Sequence, residues 1–343
     1  MNMKYGLAFI AVAAGALLAM ATLMHWERPP MASTQLGPRG VGMVWTQNPR
    51  TEAIVKSKNI APESDPPAQL SGIKVKDSPD YQNVKVLGDL DVEEFNRLMG
   101  AITNWVAPDE GCTYCHNPEN MADDGLYTKV VARRMLQMTR QINTMWTPHV
   151  QQTGVTCYTC HRGNPVPANI WFKNDGPPHA AGMSASRQGE GLASKSVGMT
   201  SLPYDPFTTL LAKGAQIRVD GTEALPTGKP GASIHDTEVT YGLMIHMSEA
   251  LGVNCTFCHN SRQFASWSES RPQRVPAWHG LRMVTDLNET FMASLQGTFP
   301  KNRLGPSGDV AKVNCATCHQ GVNKPLYGVS MAKDYPELRV ANP

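Results

Sequence analysis

Eight cysteines occur in the chain, and all fall in one five-residue frame used four times. The copies read Cys112-Thr113-Tyr114-Cys115-His116, Cys157-Tyr158-Thr159-Cys160-His161, Cys255-Thr256-Phe257-Cys258-His259 and Cys315-Ala316-Thr317-Cys318-His319. Cys-x-x-Cys-His is the spacing of covalent c-type haem attachment. Two thiols add across the two vinyl groups of one porphyrin, and the adjoining His lies under the ring as proximal iron ligand. A single frame would also fit a redox dithiol or half a zinc site. Four copies with no cysteine left over argue against both, and against a set of four disulfides. The expected cofactors are four c-type haems, with His116, His161, His259 and His319 on their irons.

A second ligand decides the chemistry. An iron with both axial positions filled transfers electrons, whereas an open position invites small-molecule chemistry. Six of the ten His are not in a motif: His25, His149, His179, His235, His246 and His279. Of the 18 Met, several stand just upstream of a motif. Met99, Met135 and Met244 could each lay a thioether over the haem attached next, although Met138, Met145 and Met247 share their surroundings. A Met on an apolar helix face is more often packing than ligand. His149 sits in a loop beside the second motif, while His179, His235 and His279 read as surface or supporting groups.

Helices must position these groups. The chain is expected to be mainly α with long irregular loops, since Gly 29 and Pro 26 favour loops and 41% hydrophobic residues suffice for a core. Val92, Phe95, Leu98, Met99, Ile102 and Val106 recur at helical spacing over residues 91–106, with Asp91 and Glu94 as a capping-box-like start. Further helices are expected at 128–146, 237–251 and 277–295, so each motif follows a helix. Gly154-Val155-Thr156-Cys157 is echoed by Gly252-Val253-Asn254-Cys255. The expected organisation is a membrane anchor (1–26), an extended lead-in with little regular structure (27–90), a half carrying haems 1 and 2 (91–162), a linker (163–235), and a half carrying haems 3 and 4 with a C-terminal tail (236–343). The two halves are expected to be pseudo-symmetric.

Haem is attached to such motifs outside the cytoplasm. Export and attachment are read from residues 6–24, a 19-residue stretch without charge, which as a helix spans roughly 28 Å, about one hydrocarbon core. Ala19-Met20-Ala21 resembles a signal-peptide cleavage site, but the apolar run continues past it, which favours a retained single-pass N-terminal anchor with the bulk of the chain on the periplasmic side. A net charge of +2 excludes a highly basic nucleic-acid binder.

With four paired motifs, a helix before each, a long central connection and an N-terminal membrane segment, the chain resembles the tetrahaem cytochrome subunit of the purple-bacterial photosynthetic reaction centre. That resemblance implies three Met/His haems and one His/His haem. It assigns Met99, Met135 and Met244 to the first three irons and His149 to the fourth. It further implies an electron-transfer subunit, not an enzyme, on the periplasmic side of the intracytoplasmic photosynthetic membrane. The subunit would sit on the L and M subunits, with the H subunit and light-harvesting complex in the membrane, and rereduce the photo-oxidised bacteriochlorophyll pair. A soluble cytochrome c or a high-potential iron–sulfur protein would supply electrons near haem 1. Consistent with a basic donor, residues 61–125 hold 13 Asp+Glu against Lys74, Lys76, Lys85 and Arg97, a local charge of −9. The rival readings are a membrane-anchored tetrahaem quinol dehydrogenase and a multihaem reductase.

Overall fold

The computed structural model describes residues 3–24, 31–174, 176, 197–198, 202–219 and 231–343. Residues 175, 177–196, 199–201 and 220–230 of the long connection lie outside the described residues, as do His25 and His179. The described chain is mainly helical. Its first element, α1 (Met3–Met24), follows the apolar run. Among the described residues no helix is long and apolar enough to cross a membrane; within α1 the described side chains are those of Tyr5, Gly6 and residues 9–24.

The lead-in is more regular than its composition predicted. It forms an antiparallel hairpin of β1 (Ala32–Gln35) and β2 (Val44–Gln47), with Ser33 opposite Thr46, and then α2 (Pro49–Ser57). Four-residue strands are too short for alternation to show in sequence. Tertiary contacts hold them: the Val44 carbonyl accepts from Asn254 Nδ2 (2.5 Å) and Thr256 Oγ1 (3.0 Å), and Trp45 Nε1 donates to the Gly252 carbonyl at 3.2 Å. The lead-in is thus tied to the third motif.

α3 (Val92–Val106) starts where Asp91 accepts the Glu93 amide, and that carboxylate also receives the Gly72 amide. Glu94 does not close the expected box, because it is engaged by the Arg97 guanidinium. α4 (Tyr127–Met145) leads directly into α5 (Thr147–Val150), where Pro148 opens the new helix instead of stopping the path. Proline is tolerated there because a first-turn amide has no partner within the helix. The second motif is itself a helix, α6 (Cys157–His161). Beyond the long connection come α7 (Ile234–Leu251), capped by Ser233 and Asp236, and α8 (Arg274–Asp286), which continues as a wider π turn over Leu287–Met292. The fourth motif forms α9 (Cys315–His319).

Two cores hold these elements. Leu98, Ala101 and Trp105 of α3 are buried with Leu326, Tyr335 and Leu338, so the C-terminal tail returns to cover the first half. Leu243 of α7 packs with Val284, Leu287 and Phe291 and with Phe207 and Leu211 from the connection. Burying each such side chain contributes about 1.5–3 kcal/mol. Across the cores, α3 packs on α6 as α7 packs on α9, and α6 and α9 meet each other.

Candidate haem-binding centre

The motifs take two forms. The first and third are 3-10 turns, Gly111–Tyr114 and Cys255–Phe257, ending at His116 and His259. The second and fourth are the short helices α6 and α9. Each of these opens on a reciprocal cap, Thr156 with Thr159 and Asn314 with Thr317, and each ends on a left-handed residue, Arg162 (φ 53°) or Gln320 (φ 50°). The glycine that follows donates to a long helix, Gly163 to the Trp105 carbonyl of α3 (2.9 Å) and Gly321 to the Ala250 carbonyl of α7 (2.8 Å). Where the two motifs touch, Arg162 Nη2 donates to the Cys318 carbonyl (3.3 Å) and Gln320 Nε2 to the Cys160 carbonyl (3.4 Å).

Every motif histidine is oriented in the same way. Nδ1–H donates to a main-chain carbonyl: His116 to Met121 (3.0 Å), His161 to Asn164 (2.9 Å), His259 to Phe264 (2.9 Å) and His319 to Val322 (2.9 Å). The acceptor lies five residues on in the 3-10 motifs and three residues on in the helical ones. Committing Nδ1 in this way fixes the tautomer and leaves Nε2 for a metal. His149, on α5, repeats the arrangement across the chain by donating to the Pro276 carbonyl at 2.8 Å. Burial holds His149, His161 and His259 below the usual imidazole range, and burial with His149 alongside brings His319 down to about 4. Neutral imidazole is the ligating form.

His149 and His319 lie edge to face, with ring centres 5.9 Å apart and ring planes inclined at 64°. Two imidazoles bound to one metal from opposite sides at about 2.0–2.1 Å place their ring centres about 6 Å apart. The pair is thus spaced as two imidazoles on one metal would be, and it brings α5 next to α9.

Around the first two motifs lies a cavity of about 1560 Å³, lined by Met99, Cys112, Cys115, His116, Met135, Cys157, Cys160 and His161. Its size and mixed wall suit large flat apolar groups with covalent and axial anchors. Met138 also lines it, but packs on the second core as well, while Met145 is 70% exposed and turned away. Met244 and Met247 both pack half-buried against the core of the second half. Among the remaining His, His246 is buried edge-on against Phe207, the half-buried His279 lies edge-on to Trp278, and His235 lies 3.7 Å from Glu238.

The cysteines are split. Cys112, Cys115, Cys157, Cys255, Cys258 and Cys315 are free thiols. Burial pushes Cys115 and Cys258 up to about 11, and Cys157 and Cys315 up to about 12. Cys160 and Cys318 are instead joined to each other, with Cα atoms 4.3 Å apart, in contrast to the expectation that no cysteine pairs with another. The pairing follows from the crossing of α6 and α9, which brings one thiol of the second motif against one of the fourth.

Oriented imidazoles beside paired thiols, with a large apolar cavity above the first two motifs, define a c-type cytochrome. Residues 27–339 match the family described as the photosynthetic reaction centre cytochrome c subunit. The chain is 57% identical to the photosynthetic reaction center cytochrome c subunit of Rubrivivax gelatinosus, covering 97% of this chain and 88% of that one. Identity is 48% to the subunit of Thermochromatium tepidum (94% and 78% covered) and 40% to that of Roseobacter denitrificans (96% and 91%). The chain belongs to this family and is an electron-transfer subunit of the photosynthetic reaction centre. Neither a quinol dehydrogenase nor a reductase is favoured.

Proposed function

We propose that this subunit rereduces the photo-oxidised bacteriochlorophyll pair with electrons taken from a soluble periplasmic carrier, a cytochrome c or a high-potential iron–sulfur protein. Four c-type haems bound at the motifs supply the one-electron redox centres. The chain would hold them through eight thioethers at Cys112, Cys115, Cys157, Cys160, Cys255, Cys258, Cys315 and Cys318. The axial pairs would be His116 with Met99, His161 with Met135, His259 with Met244, and His319 with His149. One sulfur cannot carry a thioether and a disulfide together, so the two thiols of Cys160 and Cys318 are the form that accepts haem. The observation that carries this reading is the pair His149–His319, with both Nδ1 groups committed and the rings 5.9 Å apart.

On this reading the two-haem units are residues 91–162 and 236–343, and haems 1 and 2 occupy the cavity of the first. The protein contributes orientation and a dry environment. Nδ1 bonds hold the imidazoles, and apolar walls such as Ile102, Val106 and Leu136 exclude water. Anchoring would fall to the uncharged stretch of residues 6–24, retained as a single span, with the bulk of the subunit on the periplasmic face of the membrane against the L and M subunits. Its Phe9, Ile10, Leu17 and Leu23 are exposed, as an apolar surface meant for lipid would be. The donor would dock near haem 1, where Asp109 and Glu110 are exposed beside the first motif.

Two measurements test the proposal. Intact mass of the denatured subunit should show four covalent haems, and a count of two or three would contradict attachment at Cys160 and Cys318. Flash-induced rereduction of the bacteriochlorophyll pair in membranes should fall sharply when the subunit is deleted and slow with rising salt when the soluble carrier is the donor.

A further inference from the structure

We propose that Pro276 and Gly280 of α8 form a notch that seats the His149 imidazole, so that α8 serves the fourth haem by positioning its second ligand. This rests on the reading of His149 as that ligand. Helices α3, α4 and α7 each present a candidate methionine ahead of the next motif. α8 precedes the fourth motif and also carries a methionine, but Met283 is buried in the core with Val284 and Leu287. What α8 offers His149 is a carbonyl and an empty space.

The carbonyl is that of Pro276, which accepts His149 Nδ1–H at 2.8 Å. In an α-helix that oxygen faces the amide four residues on, that of Gly280, so the side chain at 280 stands beside any second donor approaching it. A Cβ built at Gly280 would lie 2.6 Å from His149 Cε1, 2.8 Å from Nδ1 and 3.2 Å from Nε2. The backbone at 280 has no need of glycine, because no left-handed φ occurs there. Glycine inside a helix also weakens it relative to alanine. Other glycines on the ligand-bearing helices lack this crowding: at Gly100 a Cβ would meet nothing within 4 Å, and at Gly242 its nearest contact would be 3.5 Å. The ring is the neighbour that demands glycine at 280. A methyl group there would push the imidazole off the Pro276 carbonyl and away from His319, although neither residue touches iron.

The test is a cycle of Gly280→Ala and His149→Gly in the complete, haem-loaded complex, read by electron paramagnetic resonance, carbon monoxide binding and thermal stability. G280A should lose the low-spin signal of one bis-imidazole haem and gain carbon monoxide binding at one haem in four, the other three keeping their spectra. H149G should give the same signature. In the H149G background the methyl group should add no further destabilisation. An unchanged bis-imidazole signal in G280A, with H149G carbon-monoxide reactive, overturns the notch and leaves the ligand standing. Equal destabilisation by G280A in both backgrounds, including failure to assemble in both, also overturns it, since the methyl would then act on helix packing. If H149G keeps four six-coordinate haems, the ligand reading fails and the notch falls with it.

Discussion

The two halves of the molecule use one backbone scheme with different side chains at corresponding places. In both, a long helix packs on a short helical motif, a left-handed residue ends the motif, and the next glycine donates back to the last turn of the long helix. Leu98 precedes Met99 in α3, and Leu243 precedes Met244 in α7, each leucine fully buried. The differences lie where the halves meet. Arg162 and Gln320 take equivalent positions at the α6–α9 contact, one a cation and the other neutral. α4 lines the first cavity with Met135, whereas α8 opposes His149 with Gly280. A repeated scaffold thus fixes where the motifs stand, and single side chains within it differ in charge and bulk from one motif to the other.

Exchanging a proposed ligand should have the largest effect. Met244→His should lower the potential of the third haem, on the order of a few hundred millivolts within the roughly 0.8 V that axial ligands span, and slow rereduction of the bacteriochlorophyll pair. An unchanged redox titration would remove Met244 and leave Met247 as the thioether in that half.

Packing comes next. Leu98→Ala and Leu243→Ala each delete a fully buried side chain and should each cost about 2–5 kcal/mol. Similar losses in thermal unfolding would support equivalent roles in the two halves, and a loss confined to one would break the comparison.

Charge at the junction should matter less. Arg162→Gln makes the α6–α9 contact neutral on both sides and should lower the potentials of the haems that flank it. A unit charge acting over roughly 10 Å at an effective dielectric of about 20 amounts to about 1–2 kcal/mol, roughly 40–90 mV for a one-electron couple. Arg162→Lys should keep most of the wild-type value, and Gln320→Arg should shift potentials upward. Four unmoved midpoints in R162Q would show that the asymmetry is electrically silent.

A pH dependence should arise where the C-terminal tail covers the first half. Glu337 is buried, both carboxylate oxygens lack hydrogen-bond partners, and Arg97 stands at 3.9 Å. Burial raises its carboxyl to about 7. Because the folded state holds this proton more tightly than the unfolded chain, stability is fully present below the ordinary carboxyl range and declines as pH rises through about 7. Glu337→Gln should flatten unfolding curves measured between pH 5 and pH 8, and an unchanged slope would place the titration elsewhere.

Much of this was legible before any coordinates. Helices at 91–106, 128–146 and 237–251 were found within a few residues, because apolar periodicity and capping signals are local. The hairpin was not, since its contacts reach more than two hundred residues along the chain to Asn254 and Gly252. No sequence signal marked the carbonyls of Met121, Asn164, Phe264 and Val322, because every residue has one. Gly280 would have looked like a helix defect. Cys160 against Cys318 could not have been foreseen from motifs 158 residues apart.

The sequence by itself determined the class of cofactor and the place of the four motif histidines, since two thioethers and one imidazole within five residues suit a single porphyrin. It also determined the helices that precede the motifs. Only the tertiary structure decided that His149 stands opposite His319, that Met145 is turned to solvent, and that the second and fourth motifs touch. A distal ligand reaches its metal through space from another part of the chain, so its partner is set by how the helices pack and is not written in residue spacing.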